Sequence, residues 1–209
     1  MKTKEEVKGW LIPHYKEITQ ALIDRRKELN FNVYYEKFKG DNSDRMGMLC
    51  GDEYINYFYS FFNWLNIEWK HNENSGNIRF VTYEQLTYDW DEEFGANDWA
   101  ADMKGFRPLD MFLEGAGCVG FFVGRNDKKG LYLYKFDGET VPIHLNFEGY
   151  LILLRYTKGY SWWQNALVQL SSGRHLPNVD DFKEKMPKIF KSFNWNEFVT
   201  LYDSLRIDK

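Results

Sequence analysis

Gly130-Leu-Tyr-Leu-Tyr-Lys-Phe136, Asp137-Gly138-Glu139, Val141-Pro-Ile-His-Leu145, Asn146-Phe-Glu-Gly-Tyr-Leu-Ile-Leu-Leu154: along this stretch the apolar period changes from two to about 3.6. Up to Leu145 the pattern is that of strands, broken by the Asp137-Gly138 turn. From there Phe147, Tyr150, Leu151 and Leu154 fall at i, i+3, i+4 and i+7, one face of a helix that Gly159 should stop. Tyr150, Leu151 and Leu154 are therefore expected in the core. Strands running directly into a helix give an α+β order, without the repeated crossovers of a parallel sheet.

Upstream, Gly120-Phe-Phe-Val-Gly124 and the strand at Gly130 flank Asn126-Asp-Lys-Lys-Gly130, which reads as a hairpin. Ile67-Glu-Trp-Lys70 and Ile78-Arg-Phe-Val-Thr-Tyr83 make a second hairpin, its turn expected at Ser75-Gly76. Tyr54 to Leu65 is apolar throughout, and periodicity does not choose between buried helix and strand. Leu11, Tyr15, Ile18, Leu22 and Leu29 mark an amino-terminal helix, expected to begin near Pro13 because proline suits a first turn. Downstream, Trp162–Leu170, Phe182–Phe190 and Trp195–Leu205 read as helices, with Ser192 or Asn194 as a cap. The expectation is one α+β domain over residues 1–209, with a mainly antiparallel, twisted central sheet across about 67–145, flanked by helices.

Across the 209 residues, 27 Lys and Arg face 31 Asp and Glu, a net charge of −4 that argues against direct nucleic-acid binding. The charge is uneven: residues 1–40 hold nine basic and six acidic side chains, and residues 41–101 hold three and twelve. The start, Met-Lys-Thr-Lys-Glu-Glu, lacks the apolar core of a secretory signal, and no apolar run is long enough to span a bilayer. A cytoplasmic protein without membrane association is expected. Cys50 and Cys118 are too few for a disulfide framework or a four-cysteine zinc site and read as free thiols.

Enzyme motifs are sparse. Gly115-Ala-Gly117-Cys-Val-Gly120 fits a dinucleotide fingerprint, with Asp137 at ribose-binding distance. That mechanism needs a helix opening on the glycines, and here they run into Phe121-Phe122-Val123, so a glycine-rich bulge or turn is the better reading. His14, His71, His144 and His175 stand singly, and Cys118 with His144 is the one conceivable thiol–imidazole pair. His144, in an apolar stretch, reads as a satisfied core residue. Of Trp162 and Trp163, one is expected in the core and the other at an edge. No cofactor and no catalytic residue is expected.

Asp89, Asp91, Glu92, Glu93 and Asp98 stand beside Trp90, Phe94 and Trp99. Such acids could hold a hard cation in a metal-assisted hydrolase, form a solvated edge, or steer a basic partner onto aromatic anchors. The third reading makes Asp89, Trp90, Asp91, Glu92, Glu93, Phe94 and Trp99 the candidate partner-binding residues. A self-associating structural protein is a further class.

Gly130-Leu-Tyr-Leu-Tyr-Lys-Phe136, the Asp-Gly-Glu turn, Val141-Pro-Ile-His144 and Asn146-Phe-x-x-Tyr-Leu-x-x-Leu154 together resemble the SMI1/KNR4 (SUKH) superfamily. Thr157-Lys-Gly-Tyr-Ser-Trp-Trp-Gln164 is similar to the continuation in bacterial members. The similarity is most evident over about 105–170, leaving about 171–209 as a helical extension; Leu11-Ile-Pro-His-Tyr15 is only a distorted form of the family's early signature. The resemblance implies a non-catalytic protein-binding domain. Bacterial relatives are often immunity proteins that neutralise a toxin domain, commonly a nuclease, and fungal relatives are regulators acting through protein partners.

Overall fold

The computed structural model describes residues 3–39, 52–91, 103–113, 117–135 and 139–209. Seven strands among them form one antiparallel sheet whose spatial order follows the chain: β1 (Asn30–Lys37), β2 (Phe62–His71), β3 (Asn74–Phe80), β4 (Phe106–Leu113), β5 (Gly117–Phe122), β6 (Leu131–Lys135) and β7 (Thr140–Pro142). Helices α1 (Lys4–Asp24), α2 (Glu53–Tyr59) and α3 (Tyr83–Thr87) precede β4; α4 (Phe147–Thr157), α5 (Gln164–Ser172), α6 (Pro177–Ile189) and α7 (Trp195–Leu205) follow β7. The expected α+β class is what the structure has.

Strand alternation determines which face is covered. Leu65, Ile67 and Trp69 of β2, Ile78 and Phe80 of β3, Val119 and Phe121 of β5, and Leu131 and Leu133 of β6 all enter the main core with the helices. On α4, Phe147, Tyr150, Leu151 and Leu154 are buried, as the 3.6-residue period demands. The last two helices belong to the same core: Phe182 and Phe198 are fully buried, and the Tyr202 hydroxyl donates to the Ile143 carbonyl at 3.2 Å. On the opposite face, over β4 to β6, Met103, Phe106, Cys118, Phe122, Tyr132 and Tyr134 form a second apolar cluster, against which Trp90 packs.

Four expectations need correcting. The sheet begins at residue 30, because Phe31, Val33 and Tyr35 alternate on an edge strand whose partly exposed pattern is weakly apolar. The helix at the amino terminus begins at Lys4, with Pro13 inside it; a reciprocal cap between Thr3 and Glu6 starts it early, and burial of Val7, Leu11, Ile18 and Leu22 on both sides of the proline holds it together. The β2–β3 turn is at Asn72-Glu73, with Asn72 at φ 52°, and Ser75-Gly76 lies within β3. Gly76 is there because the Trp69 indole crosses it to donate to the Lys158 carbonyl at 2.7 Å; a Cβ would meet that indole at 2.2 Å. The stretch from Tyr54 to Leu65 is neither all helix nor all strand: Asp52 caps α2, and β2 takes over at Phe62.

The seam between β3 and β4 carries a buried charge. Phe80 stands opposite Asp110, and the β4 ladder is irregular on both sides of Asp110. With no solvent exposure, the Asp110 carboxylate accepts the Arg79 N–H at 2.9 Å and the Tyr150 hydroxyl of α4 at 2.7 Å. Gln164 of α5 then donates to the Tyr150 oxygen at 3.1 Å. Burial pushes the Asp110 carboxyl up to about 6, against the two hydrogen bonds that favour its charged form.

Two outcomes follow for stability. Leu151→Ala should cost about 2–5 kcal/mol in urea denaturation, since the side chain is buried on the α4 face. Asp110 binds its proton more tightly folded than unfolded, so its contribution is fully present below about pH 4 and is lost as pH rises through about 6. That loss is about 3 kcal/mol at neutral pH for a shift of this size. Asp110→Asn has no such proton, so the stability of the variant relative to wild type should rise by about that amount between pH 4 and 7. Denaturation curves across that range check it; parallel pH profiles would refute it.

Candidate functional site

The acidic and aromatic segment leaves α3 at Tyr88. Thr82 and Gln85 cap that short helix reciprocally, which fixes where the chain emerges. Tyr88 is then 48% exposed, and the Trp90 ring meets it edge-on at 5.6 Å. The Trp90 indole N–H donates to the Gln85 carbonyl at 2.8 Å, while the ring packs on the cluster around Met103. Trp90 is thus held at the rim of the sheet by both its polar and apolar parts.

Asp89 and Asp91 converge on one cation. Arg107 of β4 contacts Asp89 and Asp91, each at 3.2 Å, and the Asp91 oxygen also accepts the Gly105 N–H at 2.8 Å. Asp89 in turn accepts the Asp91 N–H at 3.1 Å. Burial, the largest influence on Asp91, pushes its carboxyl up, but the Gly105 hydrogen bond and the Arg107 guanidinium together hold it below the usual range. The Asp89 side chain is 71% exposed and the Asp91 side chain 32% exposed, so Asp89 keeps a carboxylate toward solvent while Asp91 anchors the turn. Sequence reasoning had no signal for Arg107, which reaches these acids from the next strand. Tyr88 belongs to no motif, and its exposure follows from its place at the end of α3. Glu92, Glu93, Phe94, Asp98 and Trp99 lie outside the described residues.

Other chemical candidates are placed elsewhere. Cys118 is buried among Met103, Phe106 and Phe122, and burial pushes its thiol well up, with Asp110 adding to the effect. His144 sits at φ 55° with its Nδ1 3.2 Å from Asp208, half-buried under the carboxy-terminal tail rather than in the core. The structure gives Cys118 and His144 different neighbours. Gly117 and Gly120 of the glycine motif lie in β5, not at a helix start; a Cβ on Gly120 would strike the Arg107 carbonyl at 2.4 Å and the Phe106 ring at 2.5 Å. Trp163 is fully buried against Tyr150, and Trp162 stays at the surface edge against Phe112.

A cleft of about 700 Å³ opens between the β5–β6 hairpin and the starts of α2 and α4. Asp52 organises its wall: one carboxylate oxygen accepts the Tyr54 N–H at 2.9 Å, and the other accepts the Phe147 N–H at 2.7 Å, so one side chain caps two helices. Burial pushes Asp52 up, opposed by these same amides. Phe121 and Leu131 contribute apolar walls, and Lys128 lies over the Phe122 and Tyr132 rings at 5.1 and 5.4 Å. Asp52→Ala should cost roughly 1–3 kcal/mol in thermal or chemical denaturation, because both helix starts lose an acceptor.

Among the described residues, no three His, Cys, Asp or Glu side chains gather so as to hold a metal, and no helix is long and apolar enough to cross a membrane. Comparisons with protein-family models, with curated proteins and with solved structures find no match to this chain.

Proposed function

We propose that this chain is a non-catalytic protein-binding domain of the SMI1/KNR4 (SUKH) type, an immunity or regulatory protein that binds and neutralises a toxin partner with a basic, nuclease-like surface. The single observation carrying the reading is the turn after α3. Tyr88 and the Asp89 carboxylate face solvent there, and Arg107, Gly105 and Gln85 hydrogen-bond the turn from behind. An exposed aromatic beside a solvated acid, mounted on a fixed support, suits recognition: the acid speeds encounter and the ring gains from desolvation. In composition, residues 41–101 carry twelve acids against three bases, a balance that favours a basic partner. The passage from β6 and β7 through the Asn146 cap into α4, with Tyr150, Leu151 and Leu154 inward, supports the family reading.

The partner is to be sought among products of neighbouring reading frames, purified and measured by stopped-flow mixing. Asp89→Lys should slow association several-fold at low salt and weaken its salt dependence, with little change in dissociation. Tyr88→Ala should chiefly speed dissociation. Co-expression with a toxic neighbour should restore growth for wild type. A neighbour that binds with rates indifferent to both substitutions would move the interface elsewhere, and absence of binding and of rescue would overturn the immunity reading.

A further inference from the structure

We infer that β1 is the interface of a symmetric homodimer, in which the β1 strands of two copies pair antiparallel with Val33 opposite Val33. The two edges of the sheet are built differently. β7 is three residues long and ends at Pro142, which has no N–H to offer; a short edge closed by proline resists further pairing. β1 is eight residues long, and from Asn30 to Tyr35 it holds no charged residue and no proline; its one bulge comes only at Glu36 and Lys37. Among the described residues β1 pairs with β2 alone, so alternate N–H and C=O groups on its outer side have no strand partner.

The apolar rows of the core run out to this edge and stop. Phe31, Val33 and Tyr35 stand opposite Trp69, Ile67 and Leu65, which are 3%, 0% and 5% exposed. On β1 itself Phe31 and Val33 are only half-buried and Tyr35 is 43% exposed, while Tyr34 on the other face is 51% exposed. A third row of side chains is needed to finish the packing, and the strand carries its own complement.

With Val33 on the two-fold axis, Phe31 meets Tyr35 of the second copy on the helix-covered face. On the other face Asn32 meets Tyr34, and Asn30 meets Glu36. Apolar groups oppose apolar groups, and no like charges oppose each other. A slip of one residue would put facing side chains on opposite sides of the sheet. A slip that centres Tyr34 would set Phe31 against Lys37. The pairing is isologous and closed, so it stops at two copies, with β7 at both ends of the joined sheet.

Sedimentation velocity over a concentration series tests it on the full chain. Wild type should show a reversible monomer–dimer equilibrium, and Val33→Lys, which sets two ammonium groups together on the axis, should weaken it by at least about tenfold. Circular dichroism would show that the variant stays folded. A second measurement needs no destabilising change: in a Cys50→Ser background, Val33→Cys should oxidise to a covalent dimer, whereas Glu36→Cys, far from the axis, should not. Hydrogen exchange at Phe31–Tyr35 should slow as concentration rises. A monomer at every concentration, a dimer indifferent to Val33→Lys, or equal cross-linking through Glu36→Cys would overturn the proposal; a monomer would leave the edge to a foreign strand.

Discussion

One buried carboxylate ties the layers of this molecule together. Asp110 lies where the ladder of β4 loses its regular register, and its oxygens take up what the irregular backbone leaves open, the Arg79 N–H on the neighbouring strand. Its other oxygen receives the Tyr150 hydroxyl, and Tyr150 in turn receives Gln164. Sheet, α4 and α5 are therefore joined through a chain of hydrogen bonds inside an apolar core. No cation is among the groups that hold Asp110, and its two donors are neutral, so burial dominates its titration. Such a network fixes orientation at a cost in stability that hydrophobic packing must offset.

Asp52 does similar work at the periphery. By capping α2 and α4 with one side chain it sets the angle between the segment entering β2 and the helix that follows β7. That places the cleft and the β5–β6 hairpin on the same side as the two helix starts. Across the sheet, Arg107 gathers Asp89 and Asp91 and gives the turn after α3 its shape. In each case a charged side chain organises backbone that the regular ladders and helices leave unsatisfied.

Surface properties divide along the sheet. Over β4 to β6, the face away from the helices is covered by aromatics and by Trp90, and the acidic turn rides on that cover. At the β1 edge Phe31 and Val33 are only half-buried, and among the described residues the strand pairs with β2 alone. The two regions differ in chemistry: an exposed ring beside a solvated acid at the turn after α3, and a run from Asn30 to Tyr35 without charge at the edge.

The period change at Phe147 was enough to place α4, its buried face and the α+β order, because local spacing alone decides which side chains share a face. The helix over Trp195–Leu205 was legible for the same reason, with Asn194 one of two cap candidates, whereas the glycine motif, expected as a bulge or turn, has Gly117 and Gly120 in regular strand pairing with β6. The acidic and aromatic cluster was legible as composition, but its working parts were not: Arg107 comes from β4, 16 and 18 residues beyond the acids it pairs with, and Trp90 is tied by a backbone carbonyl that no motif announces. Pro13 and Ser75-Gly76 misled because each has a local preference that tertiary contacts override, buried apolar neighbours along α1 in one case and the Trp69 indole lying over Gly76 in the other. β1 gives a weak periodic signal because, of its eight residues, only Phe31 and Val33 are half-buried and the rest are exposed. Periodicity is a property of neighbouring residues and can be read directly; a charge pair, an indole crossing a glycine or an unfinished edge arises only when distant segments meet, and that meeting is decided by packing.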